Sequence, residues 1–178
     1  ELIDVAQEDP DMTSREPHEL LWNEFLEEWP ADRVREMSLE EYTNQNRSDA
    51  FVYWLESRTE SLGSIWCGSA FKFGIYARSD TEKKEGGRGR VFGDAYGWLE
   101  KYGSTPDDTF AKVKEIICRI VEAAQNGDLD AVEREEFSPL YKWKIACLYQ
   151  DRDDPKIFPV YKKDWLFYSY KYNFFIFF

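Results

Sequence analysis

Histidine is almost absent from this chain and cysteine is scarce. Of 178 residues, one is histidine, His18, and three are cysteines, Cys67, Cys118 and Cys147, odd in number and far apart. That spacing leaves no Cys/His cluster able to hold zinc and argues against a disulfide framework. Such cysteine usage fits a reducing cytosol, so a cytoplasmic setting is expected. No run of about 18–20 uncharged apolar residues is present, so no segment reads as membrane-spanning and no membrane partner is expected. The G-x-x-x-x-G-K-[ST] phosphate loop, the G-x-S-x-G nucleophile turn and H-E-x-x-H are missing as well. A histidine-based triad would have to be built on His18, which lies in the least patterned part of the chain. No catalytic residue and no metal ligand is assigned, and no cofactor is expected for this stretch.

Acidic residues outnumber basic ones by 35 to 23, for a net charge of -12. A body so charged repels phosphate backbones at long range, so any nucleic-acid contact must come from a local basic patch. Apolar residues make up 43% and aromatics 17%, enough to build a core. Residues 1–17 are acidic and aperiodic and read as a leader or linker. Residues 18–178 read as one α+β domain, mainly helical with a small antiparallel sheet or hairpin. From Trp165 onward the aromatics crowd together. That tail reads either as the start of more chain, making this a piece of a longer protein, or as a terminal element packed on the core.

Leu21, Trp22, Phe25, Leu26 and Trp29 follow helical spacing and stop at Pro30. Ser38 and Glu41 have the S-x-x-E form of a capping box, and Asp49 is placed to cap a following helix that Gly63 ends. Phe71, Phe73 and Ile75 alternate, which predicts a strand within residues 65–78. Val91 and Phe92 read as its hairpin partner across a charged, Gly-rich loop at residues 79–90. Thr105 and Pro106 open the clearest helix, with Phe110, Val113, Ile116, Ile117, Ile120, Val121 and Ala124 as its buried stripe and Gly127 as its close. Leu129, Val132 and Phe137 suggest a further short helix. Residues 141–149 alternate like a strand but follow the helix opening Ser138-Pro139, and helix is favoured. Residues 157–161, short and β-branched around Pro159, read as an edge strand. Trp143, Trp165, Cys118 and Cys147 read as core.

The chemistry concentrates around that presumed hairpin. Lys72, Arg78, Lys83, Lys84, Arg88 and Arg90 are interleaved there with Tyr76, Phe92, Tyr96 and Trp98. Cations neutralise phosphates and ring faces stack on unpaired bases, so the mixture suits nucleic acid. An exposed loop kept soluble by its charges, with the aromatics in the core, accounts for the same residues. Asp80, Glu82 and Lys84 form an E-x-K pattern seen in some nucleases. They lie in a Gly-rich loop with no apolar strand beneath, so solvated charges are the simpler reading. Glycines set among aromatics at residues 64–74 leave room for a flat ring or for a bulge in the core.

Several segments together resemble the N-terminal region of McrB-like restriction proteins, the AAA+ GTPase subunits of modification-dependent restriction systems. They are FVYWLE at residues 51–56, SIWCGSAFKFGIYAR at 64–78, Tyr96-Gly97-Trp98 with Lys101-Tyr102-Gly103, and WKIACLYQ at 143–150. The resemblance implies a target-reading module that binds DNA carrying a modified base. The full-length protein would then be a GTPase or ATPase using GTP or ATP with Mg, partnered by a nuclease subunit of the McrC type. In that frame Lys72, Arg78, Lys83, Lys84, Arg88 and Arg90 are expected to meet phosphate, and Trp66, Tyr76 and Trp98 to stack on a base. The alternative is a protein-interaction module that binds a partner through its acidic helical face.

Overall fold

The computed structural model describes residues 12–66, 68–79 and 86–158, with side chains from residue 17 onward. Cys67, Asp80, Glu82, Lys83, Lys84 and the aromatic run from Trp165 lie outside the described residues, as does most of the acidic leader. Seven α-helices and a three-stranded antiparallel sheet make up the described residues, a mainly helical α+β domain as expected. In chain order the helices are α1 (Met12–Glu28), α2 (Ala31–Glu36), α3 (Leu39–Tyr42), α4 (Phe51–Tyr53), α5 (Pro106–Gln125), α6 (Leu129–Arg134) and α7 (Pro139–Tyr149). The strands are β1 (Ile75–Ala77), β2 (Arg90–Phe92) and β3 (Tyr96–Leu99).

The apolar stripe of α5 forms the spine, and Val113, Ile117 and Ile120 along it are fully enclosed. Thr105 caps its first turn by accepting from the Asp108 amide at 3.1 Å, and Pro106 takes the first helical position. Gly127, at φ 67, closes the helix, and the Gly127 and Asp128 amides donate to the Ala124 and Ala123 carbonyls. Ser38 and Glu41 form the expected capping box on α3, and this bonding holds the Glu41 carboxyl below the usual glutamate range.

Helix α7 is buried on every side. Residues 141–149 are all enclosed, including Lys142 and Lys144, so the pattern that alternates like a strand is a helix with no solvent face. Hydrogen bonds along its length tie it to the rest of the molecule. Tyr149 donates to the Trp29 carbonyl at 2.6 Å, the Trp22 indole donates to the Leu148 carbonyl at 2.7 Å, and Lys142 donates to the Glu133 carbonyl at 2.6 Å. The Lys144 ammonium donates to the Thr59 and Gly63 carbonyls, both at 2.7 Å. Those carbonyls end an irregular stretch in which α4 widens into a π-helical turn, Trp54–Arg58, and then tightens to a 3-10 turn, Glu60–Leu62.

Five local expectations are corrected. Helix α1 already runs at Met12, so residues 12–17 are helical where an aperiodic leader was expected. Asp49 does not cap α4; it pairs with Arg47 at 2.6 Å, and Ala50 is the cap residue with no side-chain bond. The Phe71/Phe73 alternation is a 3-10 turn, Ala70–Phe73, and the strand starts only at Ile75. Gly74, at φ 79, makes that switch, and a Cβ there would meet Val113 at 2.6 Å, so the backbone can lie against α5 only because no side chain is present. Finally β1 and β2 do not pair with each other. Both flank β3, in the order β1-β3-β2. Of the edge strand expected over residues 157–161, residues 157 and 158 are not in a strand, and residues 159–161 lie outside the described residues.

Burial pulls the Lys144 pKa down to about 8 from 10.5, and among the described residues its ammonium donates to carbonyl oxygens and to no carboxylate. The unfolded chain therefore holds this proton more tightly than the folded one, and stability contributed at this site rises with pH between about 8 and 10.5. In denaturation at pH 7.5 to 10, the difference in unfolding free energy between wild type and Lys144→Met is expected to climb by about 1.4 kcal/mol per pH unit near pH 9. Buried tyrosines titrate in both proteins and cancel in the difference. A flat difference would contradict the buried ammonium.

Candidate nucleic-acid interface

Strand alternation sorts the sheet into two faces. Ile75, Trp98 and Val91 lie in one cross-strand row, and Tyr76, Gly97 and Phe92 lie in the next, pointing the other way. The first row faces the core. Trp98 is only 7% exposed and backs onto Gly93, so it is a core residue and not the stacking surface expected of it.

The second row makes an outer aromatic face. The Tyr76 ring lies across Gly97, where a Cβ would meet its ring and hydroxyl atoms at 2.7–2.8 Å. Phe71 reaches over from its 3-10 turn and meets Tyr76 and Phe92 edge-on, with centroids 5.1 and 5.4 Å away. Arg90 places its guanidinium 5.1 Å from the Phe71 ring, and Arg78 sits 5.5 Å from Phe92 while also donating to the Gly93 carbonyl. Cations are thus held against ring faces by the sheet itself.

Beside this face, the chain turns at Arg88-Gly89 with φ 56 and 72. Positive φ at both central residues, with the Arg90 amide donating to the Gly87 carbonyl at 3.2 Å, is the two-residue hairpin turn whose twist matches the strands. Arg88 is exposed and is the only non-glycine at positive φ among the described residues. Trp66, 74% exposed, stands on the loop ahead of the 3-10 turn.

Lys72 is placed differently from expectation. Its side chain is 9% exposed, paired with Glu56 at 2.5 Å and donating to the Ile65 carbonyl at 2.8 Å. It pins the Trp66 loop to the π-helical turn and is not presented to phosphate. Of the residues singled out for phosphate or base contact, then, Arg78, Arg88, Arg90, Tyr76 and Trp66 reach the surface or its edge, and Lys72 and Trp98 are inside. Lys83 and Lys84 lie outside the described residues.

A cavity of about 200 Å³ opens at the β1 edge of the sheet. Tyr76, Tyr53 and Phe73 supply aromatic wall, and Asn44, Gln45, Glu56 and Ser57 supply polar groups. The strand edge is closed here by side chains: Gln45 donates to the Ala77 carbonyl at 2.8 Å, and the Ala77 amide donates to the Thr43 hydroxyl at 3.1 Å. Sequence reading missed Glu56, Tyr53 and Gln45. The only signal was indirect, since Glu56 and Tyr53 sit within the FVYWLE segment, and nothing in spacing says that a π-helical turn would bring them to a strand edge.

A second cleft, of about 1050 Å³, runs between α1 and residues 149–158. Trp22, Leu26 and Phe158 give it an apolar lining, and Glu19, Asp151 and Asp153 an acidic one. His18 is exposed on α1. Cys147 is buried and its thiol is pushed up to about 12 by that burial. Cys118 is half-buried against the core, and burial raises its thiol too, so neither is an activated nucleophile. Among the described residues no group of three or more His, Cys, Asp or Glu side chains is arranged to hold a metal, and no helix is long and apolar enough to cross a membrane. No protein family, no curated protein and no solved structure matches this chain.

Proposed function

We propose that this chain is the DNA-recognition module of a modification-dependent restriction system, reading DNA for an associated NTPase motor and a nuclease partner. The observation that carries this reading is the outer sheet face, where Arg78 and Arg90 lie over Phe92 and Phe71 beside the exposed Arg88 and Trp66. A guanidinium resting on a ring presents its edge N–H groups to phosphate oxygens, and it loses less side-chain freedom on binding than a loose lysine does. The resemblance to McrB-like N-terminal regions supports the same reading, and the motor chemistry then belongs to chain outside this sequence.

Arg88 supplies a second support. An L-residue at φ 56 costs about 1–2 kcal/mol relative to glycine. A charged side chain kept at such a position, next to a run of glycines that would fill it without strain, fits a residue retained for what its guanidinium touches.

The net charge of -12 does not forbid the contact. The Debye length at physiological ionic strength is about 8 Å, so a phosphate seated on Arg88 or Arg90 is governed by its neighbours and feels the distant carboxylates only weakly. A second reading, binding of a partner protein, is favoured by the acid-lined apolar cleft beside α1.

Arg88→Ala and Arg90→Ala are each expected to weaken binding to all duplexes alike, and to flatten the dependence of log affinity on log salt by about 0.9 for each phosphate that is no longer neutralised. Titration of a labelled duplex at several salt concentrations measures both. Wild-type protein with no salt-sensitive DNA binding would remove the DNA reading and leave the partner-protein one. Arg88→Gly separates function from folding: it is expected to raise unfolding free energy by about 1 kcal/mol while losing the same DNA affinity as Arg88→Ala. A less stable Arg88→Gly protein would show that the guanidinium serves the fold.

A further inference from the structure

The cleft between α1 and residues 149–158, at about 1050 Å³, is at the top of the range for small-molecule sites, about 300–1000 Å³, and suits a length of polypeptide. Trp22 and Leu26 of α1 are half-buried and Phe158 is 39% exposed, so apolar surface faces into it. Its rim is acidic. Glu19, Asp151 and Asp153 are exposed there, and none of the three is in an ion pair among the described residues. Arg152, the cation of the lining, is engaged elsewhere: its guanidinium lies 5.3 Å from the Trp22 ring and donates to the Asn23 side chain. Such a rim is complementary to cations carried by whatever fills the cleft.

The fold aims the following chain at this cleft. Gln150, buried at the end of α7, accepts from the Lys156 and Ile157 amides, both at 2.8 Å, and donates to the Ile157 carbonyl at 2.7 Å. These bonds bring the chain back to α7 and leave Phe158 on the cleft wall. The sequence that follows, Tyr161-Lys162-Lys163-Asp164-Trp165-Leu166-Phe167-Tyr168, lies outside the described residues and matches the cleft in composition: cations for the rim, then an uncharged aromatic run for the floor. At about 3.3–3.6 Å per residue, Lys162 and Lys163 reach up to about 13–18 Å from Phe158, and Phe167 up to about 30 Å. Residues 19–26 of α1 span only about 10 Å, so reach is not limiting. An uncharged aromatic run without proline associates with other chains when it is exposed, so burial is favoured. A connection of a few residues also holds this segment beside the cleft at an effective concentration on the order of millimolar, an advantage that no free partner has.

We infer that the cleft is the seat of this chain's own residues 161–168, with Lys162 and Lys163 against Glu19, Asp151 and Asp153, and residues 165–168 over Trp22, Leu26 and Phe158. Exposed ion pairs contribute little individually, so the rim sets the orientation of the segment and apolar burial supplies most of the attraction. A cleft filled in this way is closed to other proteins. The sheet face then remains as the open surface, and the observation that favours the partner-protein reading is removed. The inference does not rest on the DNA reading, because none of these residues belongs to the sheet face.

The experiment keeps the whole chain and places the photo-reactive p-benzoyl-phenylalanine at Phe167, whose ring it extends. After irradiation, peptide mass spectrometry is expected to find the crosslink on residues 19–26 or 149–158 of the same chain. A mixture with isotopically heavy chain lacking the photo-label identifies the source, since a crosslink joining light to heavy peptide comes from a second copy. Carbodiimide coupling of the unaltered protein reads the rim: Lys162 or Lys163 is expected to form amide bonds with Glu19, Asp151 or Asp153 in preference to carboxylates elsewhere. Trp165→Asp, which changes nothing among the described residues, is expected to lower photo-crosslinking to the cleft about tenfold, because a charge replaces an apolar anchor. Light–heavy crosslinks would overturn the proposal and assign the cleft to a second copy. Crosslinks elsewhere, or none, would overturn it and return the cleft to a partner protein. Undiminished crosslinking in Trp165→Asp, or carbodiimide coupling with no preference for the rim, would overturn it as well.

Discussion

A single buried ammonium ties the parts of this domain together. Lys144 projects from α7, which is enclosed on every side, and its Nζ bonds the carbonyls of Thr59 and Gly63. Those two carbonyls mark the end of the π-helical turn and the start of the loop that carries Trp66. Lys72 repeats the device one step further out by joining Ile65 to Glu56. Removing the Lys144 ammonium would leave two carbonyls in the core without donors, a cost of about 1–3 kcal/mol each. It would also free the segment on which both the Trp66 loop and the cavity wall depend. Fixed placement of these groups therefore comes from the helical core and not from the small sheet, whose strands are only three or four residues long.

The sheet's contribution is a surface. Because β3 lies between β1 and β2, the Tyr76–Gly97–Phe92 row brings the side chains of two separate strands onto one face, over a glycine of the third. Gly97 at the centre lets the Tyr76 ring lie flat over the strand, and Phe71 fills the rest. Arg78 and Arg90 then have ring faces to rest on. A protein with 35 acidic residues can hold such a patch because the interaction that matters is local, and the screening length is shorter than the domain.

What could be read in advance follows from how local each signal is. The cap of α3 at Ser38 and Glu41, the opening of α5 at Thr105-Pro106 and its close at Gly127 depend on neighbours a few residues away, and all stand where the sequence put them. Signals that depend on distant partners misled. Phe71 and Phe73 alternate, but Gly74 turns sharply against Val113 of α5, so the alternation is a 3-10 turn. Lys72 has the charge of a phosphate contact, yet Glu56, distant in sequence, claims it. Trp98 and Tyr76 looked equivalent as stacking rings until strand register placed one on the core side and the other outside. The cavity at the β1 edge was not legible at all, because it is made by a π-helical insertion that no residue spacing announces.

Two surfaces compete for the role of partner site, and the outer sheet face, not the acid-lined cleft, is the one proposed to meet DNA. Amide chemical-shift mapping with a short DNA duplex tests this most directly, since both surfaces are followed in one spectrum. Signals from residues 64–66, 76–79 and 86–92, together with the Trp66 indole, are expected to move on addition of DNA while those of residues 19–26 and 150–158 stay in place. Shifts confined to the cleft between α1 and residues 149–158, or no shifts at all, would contradict it.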